Sequence, residues 1–220
     1  MDGRLISVEG IEGAGKSSQV ERLGAWLRTR GLRVVTTTEP DGTPLGARVR
    51  RLLGELAALD PLAECLLFAA ARAEHVRRVI RPALDGGAVV ICDRYVDSTA
   101  AYQGYGRGVP LELVAELNRV ATDGLAPALT IVLDLDVAEG LRRARARGPT
   151  LPASRRGDLD SDPFERLGLD FHERVRKGYQ AIHEREPERV VLIDAARPEA
   201  AVAAAVRAAV AARLGLGDAG

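Results

Sequence analysis

The residues best suited to chemistry lie near the N-terminus, in a glycine-rich segment that ends in a lysine and a serine. Residues 10–17 read Gly-Ile-Glu-Gly-Ala-Gly-Lys-Ser and fit the G-x-x-x-x-G-K-[ST] pattern of a phosphate-binding loop. The glycines let backbone N–H groups turn toward an anion, and the start of a following helix adds partial positive charge. The pattern places Lys16 at the β- and γ-phosphates of a nucleotide and the Ser17 hydroxyl on Mg²⁺.

The elements that must position this loop are a strand before it and a helix after it. Residues 5–8 form a short apolar run, and Val20, Leu23 and Leu27 recur at helical spacing. Four further strand-like runs predict strands at residues 33–38, 88–92, 129–133 and 190–193. These runs lack polar alternation, which is typical of strands buried on both faces. Helical stretches separate them, so we expect an α/β fold with a five-stranded parallel sheet and helices on both faces.

Acidic residues and helix signals refine this arrangement. Asp93, Asp134 and Asp194 each follow a predicted strand, at the sheet edge where ligands gather. Asp60 and Pro61 are a good N-cap and first helical residue, and they begin one of the predicted helices. We predict helices over residues 45–59, 61–81, 110–123, 137–147, 164–186 and 198–214.

One segment late in the chain has the character of a loop. Residues 148–162 show no apolar periodicity and contain Pro149, Pro152 and Gly157, so we expect a mobile lid that carries Arg155 and Arg156. No linker divides the chain. We therefore predict one domain over residues 1–214, with a flexible tail at 215–220.

Bulk composition excludes several classes of protein. The 31 basic and 31 acidic residues cancel, so no basic face for nucleic acid is expected. Cys65 and Cys92 are too few for a disulfide scaffold, and no apolar run reaches the length of a membrane helix. We expect a cytoplasmic protein with no nucleic-acid or membrane partner. There is no Asn-Lys-x-Asp segment of a GTPase, and the arginines near the lid favour a small nucleotide kinase.

Several further motifs make the chain resemble thymidylate kinases of the bacterial type, in the family's order from residue 5 to about residue 197. The matching segments are residues 8–17, the Thr-Glu-Pro-Asp-Gly-Thr of 38–43, the Leu-Phe-Ala-Ala-Ala-Arg of 67–72, the Asp-Arg-Tyr of 93–95, and residues 98–104 and 171–179. The resemblance implies a P-loop kinase fold and ATP- and Mg²⁺-dependent phosphoryl transfer to dTMP, giving dTDP for dTTP synthesis. It also implies a homodimer, which the surplus apolar positions around Leu66 and Leu117 make plausible.

The resemblance also implies the residues of the acceptor site. In that family the phenylalanine stacks on thymine and the arginine one turn later bonds its O4, roles that fall here on Phe68 and Arg72. Thr99 occupies the other base-edge position, and Tyr102 lies against the sugar. Glu12 faces the 3′-hydroxyl. The full acceptor set is Glu12, Glu39, Pro40, Arg50, Phe68, Arg72, Arg94, Thr99, Tyr102 and Gln103.

The donor site and the reacting groups follow in the same way. Arg94 and Arg50 hold the acceptor phosphate, and Ser17 and Asp93 are the metal ligands. The implied catalytic residues are Lys16, Asp93, Arg94, Arg155 and Arg156. The implied ATP-binding residues are Gly10, Ile11, Glu12, Gly13, Ala14, Gly15, Lys16, Ser17, Ser18 and Arg142. No general base is assigned, because the nucleophile is an oxygen of an ionised monophosphate.

Some assignments remain open at this level. The lid arginine at the donor phosphates is Arg147, Arg155 or Arg156, with the last two favoured, and Arg142 and Arg143 either flank adenine or are solvated. Relative to the family, Pro163 replaces an arginine in the lid, Thr38 an arginine and Asp41 a glycine.

Two other functions remain compatible with the motifs. The chain could phosphorylate another nucleoside monophosphate, or it could be a non-catalytic nucleotide-binding module whose lid has decayed.

Overall fold

A single parallel sheet forms the centre of the computed structural model, which describes residues 3–56, 59–147, 164 and 167–216. The strands are β1 (Arg4–Glu9), β2 (Val34–Thr38), β3 (Val89–Asp93), β4 (Leu129–Asp134) and β5 (Val190–Asp194). Their order across the sheet is β2-β3-β1-β4-β5, and every pairing is parallel. The predicted five-stranded α/β fold is therefore confirmed, and β1 is the central strand.

Helices connect successive strands. They are α1 (Lys16–Thr29), α2 (Pro44–Glu55), α3 (Pro61–His75), α4 (Arg81–Asp85), α5 (Val96–Thr99), α6 (Leu111–Thr122), α7 (Val137–Arg147), α8 (Leu169–Arg185) and α9 (Glu199–Leu214). Two π-helical segments, Val76–Ile80 and Ala100–Gly106, continue α3 and α5. The second segment carries Tyr102 and Gln103, so the predicted acceptor residues there lie on π-helical rather than loop backbone.

Both faces of the sheet are buried under helices. On β1, Ile6 and Val8 belong to the large core that includes Leu23 and Leu27 of α1. Leu5 belongs to a second core on the other face, with Ile80 and Ala83. The alternation of neighbouring strand residues between two apolar layers explains why the strand sequences lack regular polar alternation.

Helix starts follow the sequence signals in part. Asp60 accepts hydrogen bonds from Leu62 N (2.9 Å) and Ala63 N (3.3 Å), as its predicted N-cap role requires. The prediction of a helix from residue 164 is wrong, because α8 begins at Leu169 after the extended Gly168. Phe164 lies ahead of the helix and packs its ring parallel to that of Phe171, at 6.2 Å between centroids.

The structure describes part of the predicted tail but none of the predicted lid. The predicted lid at 148–162, with Arg155 and Arg156, lies outside the described residues, as does most of the predicted tail. Gly215 and Leu216 are described: Gly215 caps α9 in the left-handed conformation, and Leu216 packs against the core. None of the described helices is both long enough and apolar enough to span a lipid bilayer.

Candidate active site

The phosphate loop joins the central strand β1 to the N-terminus of α1. Gly10, Gly13 and Gly15 have φ of 136°, 73° and 94°, a region that glycine adopts without strain. Lys16 folds back over the loop and donates from Nζ to Gly10 O at 3.0 Å and Ile11 O at 2.9 Å. Burial, together with the positive charge of Arg94, lowers the pKa of Lys16 to about 8. The ammonium thus lies inside the loop, where an anion would compete for its protons.

The loop is held from outside by α7. A Cβ on Gly13 would lie 1.9 Å from Gly140 O, and a Cβ on Gly140 would lie 2.6 Å from Glu12 O. The backbones of the loop and of α7 therefore touch, and neither position has room for a side chain. This contact fixes the position of the loop relative to α7.

Two oxygen-bearing side chains meet at the base of the loop. The Ser17 hydroxyl donates to Asp93 Oδ2 at 2.8 Å, joining the start of α1 to the end of β3. A hydroxyl and a carboxylate are hard oxygen ligands, and Mg²⁺ bound to nucleotides uses one or two such protein ligands. The donor set present at Ser17 and Asp93 therefore fits the magnesium site that the sequence predicts.

Nine of the ten predicted acceptor residues line one cleft beside the loop. These residues are Glu39, Pro40, Arg50, Phe68, Arg72, Arg94, Thr99, Tyr102 and Gln103. The tenth, Glu12, contacts the cleft through Tyr102, whose hydroxyl donates to Glu12 Oε1 at 2.6 Å. Leu53, Ser98 and Phe164 also line the cleft and were not predicted.

Arg94 connects this acceptor cleft to the phosphate loop. Its backbone is left-handed, with φ of 69°, which turns the chain sharply at the end of β3. From the guanidinium, Nη2 donates to Glu12 Oε1 at 3.0 Å and Nη1 approaches Gly10 O at 3.5 Å. A planar guanidinium that can donate two parallel hydrogen bonds, placed where the acceptor cleft meets the phosphate loop, is well suited to bind phosphate.

Glu12 is buried, yet its surroundings favour the ionised form. Burial by itself raises its pKa, but His172, Arg94 and Lys16 outweigh that effect and lower the pKa. His172 Nδ1 lies 3.2 Å from Glu12 Oε2. Within the described residues, this second oxygen has no aligned hydrogen-bond donor. The oxygen that contacts the cleft residues Arg94 and Tyr102 is Oε1.

The substitution of Asp41 for the family's glycine has a direct consequence for one predicted phosphate ligand. Arg50 Nη1 lies 3.2 Å from Asp41 Oδ2, and both side chains are about one-third exposed, at 36% and 33%. A carboxylate therefore competes at Arg50 with the anion that this arginine is expected to bind.

A wide groove lies on the other side of the loop. Of the predicted ATP-binding residues, Gly13, Ala14, Gly15, Ser18 and Arg142 line it. Arg142 is 67% exposed and pairs with Glu139, whereas Arg143 donates to Ala195 O at 3.1 Å. Both arginines border the groove, so the structure is compatible with either alternative left open above.

Sequence reasoning missed a buried carboxyl group under the loop. Glu9 ends β1 and accepts from Tyr95 N at 2.7 Å, Ser98 Oγ at 2.5 Å and Tyr179 OH at 3.2 Å. Burial and the nearby Asp97 raise its pKa to about 7. The available signal was an acid at the end of an otherwise apolar strand, directly before the loop.

Comparisons with known proteins agree with this geometry. Residues 8–206 match the model of a family described as thymidylate kinase. A thymidylate kinase of Deinococcus radiodurans is 47% identical over 212 residues, covering 96% of this chain and 98% of the relative. One from Caulobacter vibrioides is 49% identical over 216 residues, covering 97% and 99%. The crystal structure of thymidylate kinase from Ehrlichia chaffeensis has a TM-score of 0.74 at 33% identity, covering 96% of this chain and 99% of that one.

Proposed function

The chain belongs to the thymidylate kinase family, and on that premise we propose which of its residues bind the substrates and transfer the phosphoryl group. Enzymes of this family phosphorylate dTMP to dTDP with ATP as the donor, and this chain is such a phosphotransferase. The assignment of residues is supported by one observation above all: nine predicted acceptor residues, from separate parts of the chain, line one cleft next to the phosphate loop.

In this proposal the cleft binds the nucleoside of dTMP. Phe68 stacks on thymine, Arg72 donates to its O4, and Thr99 with Gln103 faces the base edge. Tyr102 lies against the deoxyribose and leaves little room for a 2′-hydroxyl. The ionised Glu12 accepts a hydrogen bond from the 3′-hydroxyl.

The acceptor phosphate lies between Arg94 and Arg50, toward the loop. Its second ionisation has a pKa near 6, so the attacking oxygen is already anionic at neutral pH. A side chain that removes a proton is therefore unnecessary, and catalysis consists of positioning and charge stabilisation. Arg94 is the group best placed to orient the nucleophile, because it contacts both the loop and the cleft.

The loop and the groove bind ATP. Backbone N–H groups of residues 13–18 surround the phosphates, and Lys16 exchanges its two carbonyl partners for phosphate oxygens. Arg142 borders the space left for adenine. Ser17 and Asp93 would hold Mg²⁺, and the ion would supply positive charge to the donor phosphates. Arg155 or Arg156, both outside the described residues, is proposed to bind the donor phosphates.

A homodimer and a cytoplasmic location complete the proposal. Leu62 and Leu66 of α3 and Val120 of α6 are 41%, 48% and 64% exposed on two helices that pack together. Such a cluster of exposed apolar side chains is typical of an interface. Both cysteines are free and buried, as is usual in a reducing compartment.

The test of the function is an assay of ADP release with Mg²⁺ and ATP against dTMP, dUMP, ribose TMP, dCMP, dGMP and AMP. Selective turnover of dTMP is expected. Preference for another base would contradict the roles of Phe68 and Arg72, and preference for the ribose form would contradict that of Tyr102. ATP binding without turnover of any monophosphate would favour the non-catalytic alternative.

A further inference from the structure

We infer that Asn118 and His75, two buried side chains outside the acceptor cleft, hold the Arg72 guanidinium so that it selects a pyrimidine with a carbonyl oxygen at C4. The inference rests on the proposed function, in which Arg72 faces the base of the acceptor nucleotide. Neither Asn118 nor His75 lines the cleft, so both act through Arg72 as positioning residues.

The Arg72 guanidinium is fixed at all three of its nitrogen atoms. Nε donates to Glu39 Oε2 at 2.8 Å, Nη1 to Asn118 Oδ1 at 2.6 Å and Nη2 to Tyr95 O at 3.1 Å. A guanidinium has five N–H groups. Within the described chain, these contacts leave one N–H on each terminal nitrogen, and those are the donors available to a base.

Asn118 can present only one end of its amide to Arg72. Its Nδ2 donates to Val96 O at 3.1 Å, so Oδ1 is the atom that faces the guanidinium. A flipped amide would place donors against Arg72 and an acceptor against a carbonyl oxygen. The orientation of this buried amide on α6 is therefore determined, and with it the rotation of the guanidinium.

His75 fixes Glu39, the second side chain that holds Arg72. It is fully buried, with Nδ1 3.0 Å from Glu39 Oε1 and Nε2 2.7 Å from Thr37 Oγ1. Glu39 is thus held at both oxygens, one by Arg72 and one by His75. A Cβ on Gly42 would lie 2.4 Å from His75 Nε2, so the imidazole is closely confined. The chain of contacts runs from Thr37 through His75 and Glu39 to Arg72.

The rigidity of this support has a chemical consequence. An arginine only donates hydrogen bonds, so a carbonyl oxygen at C4 of the pyrimidine satisfies it, whereas the amino group of cytosine places donor against donor. A mobile guanidinium could rotate away from the amino group and tolerate it. One held at three nitrogen atoms cannot, so cytosine leaves a buried donor without a partner.

The test compares wild type, Asn118→Leu and Asn118→Asp, with Glu116→Gln on the exposed face of the same helix as the control. We measure kcat and KM for dTMP, dUMP and dCMP at saturating ATP. The ratio of kcat/KM for dUMP to that for dCMP reports the group at C4 together with the proton at N3, and the change of this ratio between wild type and variant reports the effect of Asn118. The dTMP to dUMP ratio reports the methyl group. Asn118→Leu should lower the first ratio by about 10- to 100-fold, mainly through KM for dUMP, and leave the second unchanged.

The conservative variant separates positioning from folding. Asn118→Asp keeps an oxygen toward Arg72 but loses the donor to Val96 O, so it should recover part of the dUMP preference and lower the melting temperature. Thr37→Val keeps the size of the side chain and removes only the hydroxyl on His75, so a smaller loss of the same preference is expected, with Thr37→Ser close to wild type. These two variants decide the matter if Asn118→Leu does not fold.

The outcomes distinguish this inference from the function on which it rests. A wild-type enzyme without preference for dUMP over dCMP would contradict the placement of Arg72 at the base, and with it the proposed function. A wild-type preference that persists in Asn118→Leu and Thr37→Val would overturn only the positioning role. An equal loss for all three nucleotides would also overturn it, because that indicates a general structural defect.

Discussion

At the scale of single residues, the site is a set of charges whose neighbours decide their state. Glu12 and Glu9 are both fully buried carboxyl groups, three residues apart on either side of the loop's first glycine. Arginine, lysine and histidine neighbours lower the pKa of Glu12, whereas burial beside Asp97 raises that of Glu9 to about 7. Glutamate therefore serves as an anionic hydrogen-bond acceptor at position 12 and as a titrating structural group at position 9.

The titration of Glu9 predicts a pH-dependent stability difference. Because the folded state raises the pKa from 4.5 to about 7, the folded chain binds the proton more tightly. Wild type should therefore lose stability as pH rises from about 4.5 to about 7, relative to Glu9→Gln, which does not titrate. The difference in free energy of unfolding should change by up to roughly 3 kcal/mol.

Urea unfolding of both proteins from pH 4.5 to 8 measures this difference. Most of the change should occur below pH 7, and the curve should level above it. A difference that stays constant across the range would show that Glu9 is ionised in both states, contrary to its surroundings of Asp97, Tyr179 and Ser98.

A second prediction at this scale concerns Asp41. Its carboxylate contacts Arg50, so Asp41→Asn should remove one anionic competitor of the acceptor phosphate at that guanidinium. An ion pair this exposed is worth at most about 1 kcal/mol, so KM for dTMP should fall by roughly two- to fivefold while kcat stays the same. Steady-state kinetics at low ionic strength measure the change.

The matched control for Asp41→Asn is Glu55→Gln. Glu55 pairs with Arg51 on the same helix and carries the same charge away from the cleft. If both variants lower KM equally, net charge is responsible and the specific competition at Arg50 is refuted.

At the scale of elements, the contact between the phosphate loop and α7 leaves no room for an added side chain. A methyl group at Gly140 meets Glu12 O at 2.6 Å, so Gly140→Ala must displace either the helix or the loop. We expect KM for ATP to rise by roughly tenfold and the melting temperature to fall, since close contacts of this kind cost about 1–3 kcal/mol. Steady-state kinetics and thermal unfolding measure the two effects.

The control is Arg145→Ala, on the exposed side of α7. It should leave KM for ATP near the wild-type value. A Gly140→Ala enzyme with unchanged KM for ATP would show that the loop accommodates the methyl group, contrary to the contact described.

The elements also show what the sequence could and could not predict. Each strand is a short run rich in apolar or β-branched residues, so all five were predicted to within a residue or two. Their spatial order was not predicted, because local pattern does not say that β1 lies between β3 and β4. The start of α8 was misplaced because Phe164 finds aromatic partners in space, and no local periodicity reports them.

The residues of the site also divide into those that could be predicted from the sequence and those that could not. Residues in contiguous motifs were predicted, Lys16 from the spacing of the phosphate-binding loop and Arg94 from the resemblance of residues 93–95 to the family's motif. Asn118 was missed because its partner Arg72 is 46 residues away, and Glu9 because Ser98 is 89 residues away. A buried polar side chain has meaning only through such partners, and those follow from the fold.

At the scale of the whole molecule, the apolar face formed by α3 and α6 connects assembly to the acceptor cleft. Leu66 of that face lies on the helix that carries Phe68 and Arg72, and Val120 lies on the helix that carries Asn118. A partner on this face would thus stabilise both supports of the base site. Dimerisation and acceptor binding should therefore be linked.

Leu66→Glu tests this linkage. Placing an unpaired charge in a buried apolar interface should weaken a homodimer by about 100-fold or more. Sedimentation equilibrium should then show mainly monomer at micromolar concentration. KM for dTMP should rise. KM for ATP should change little, because the phosphate loop lies on the far side of the acceptor cleft. Leu169→Glu, which alters a 55% exposed leucine on α8, is the control. A wild-type monomer would refute the proposed dimer, and a monomeric Leu66→Glu enzyme with wild-type KM for dTMP would refute the linkage alone.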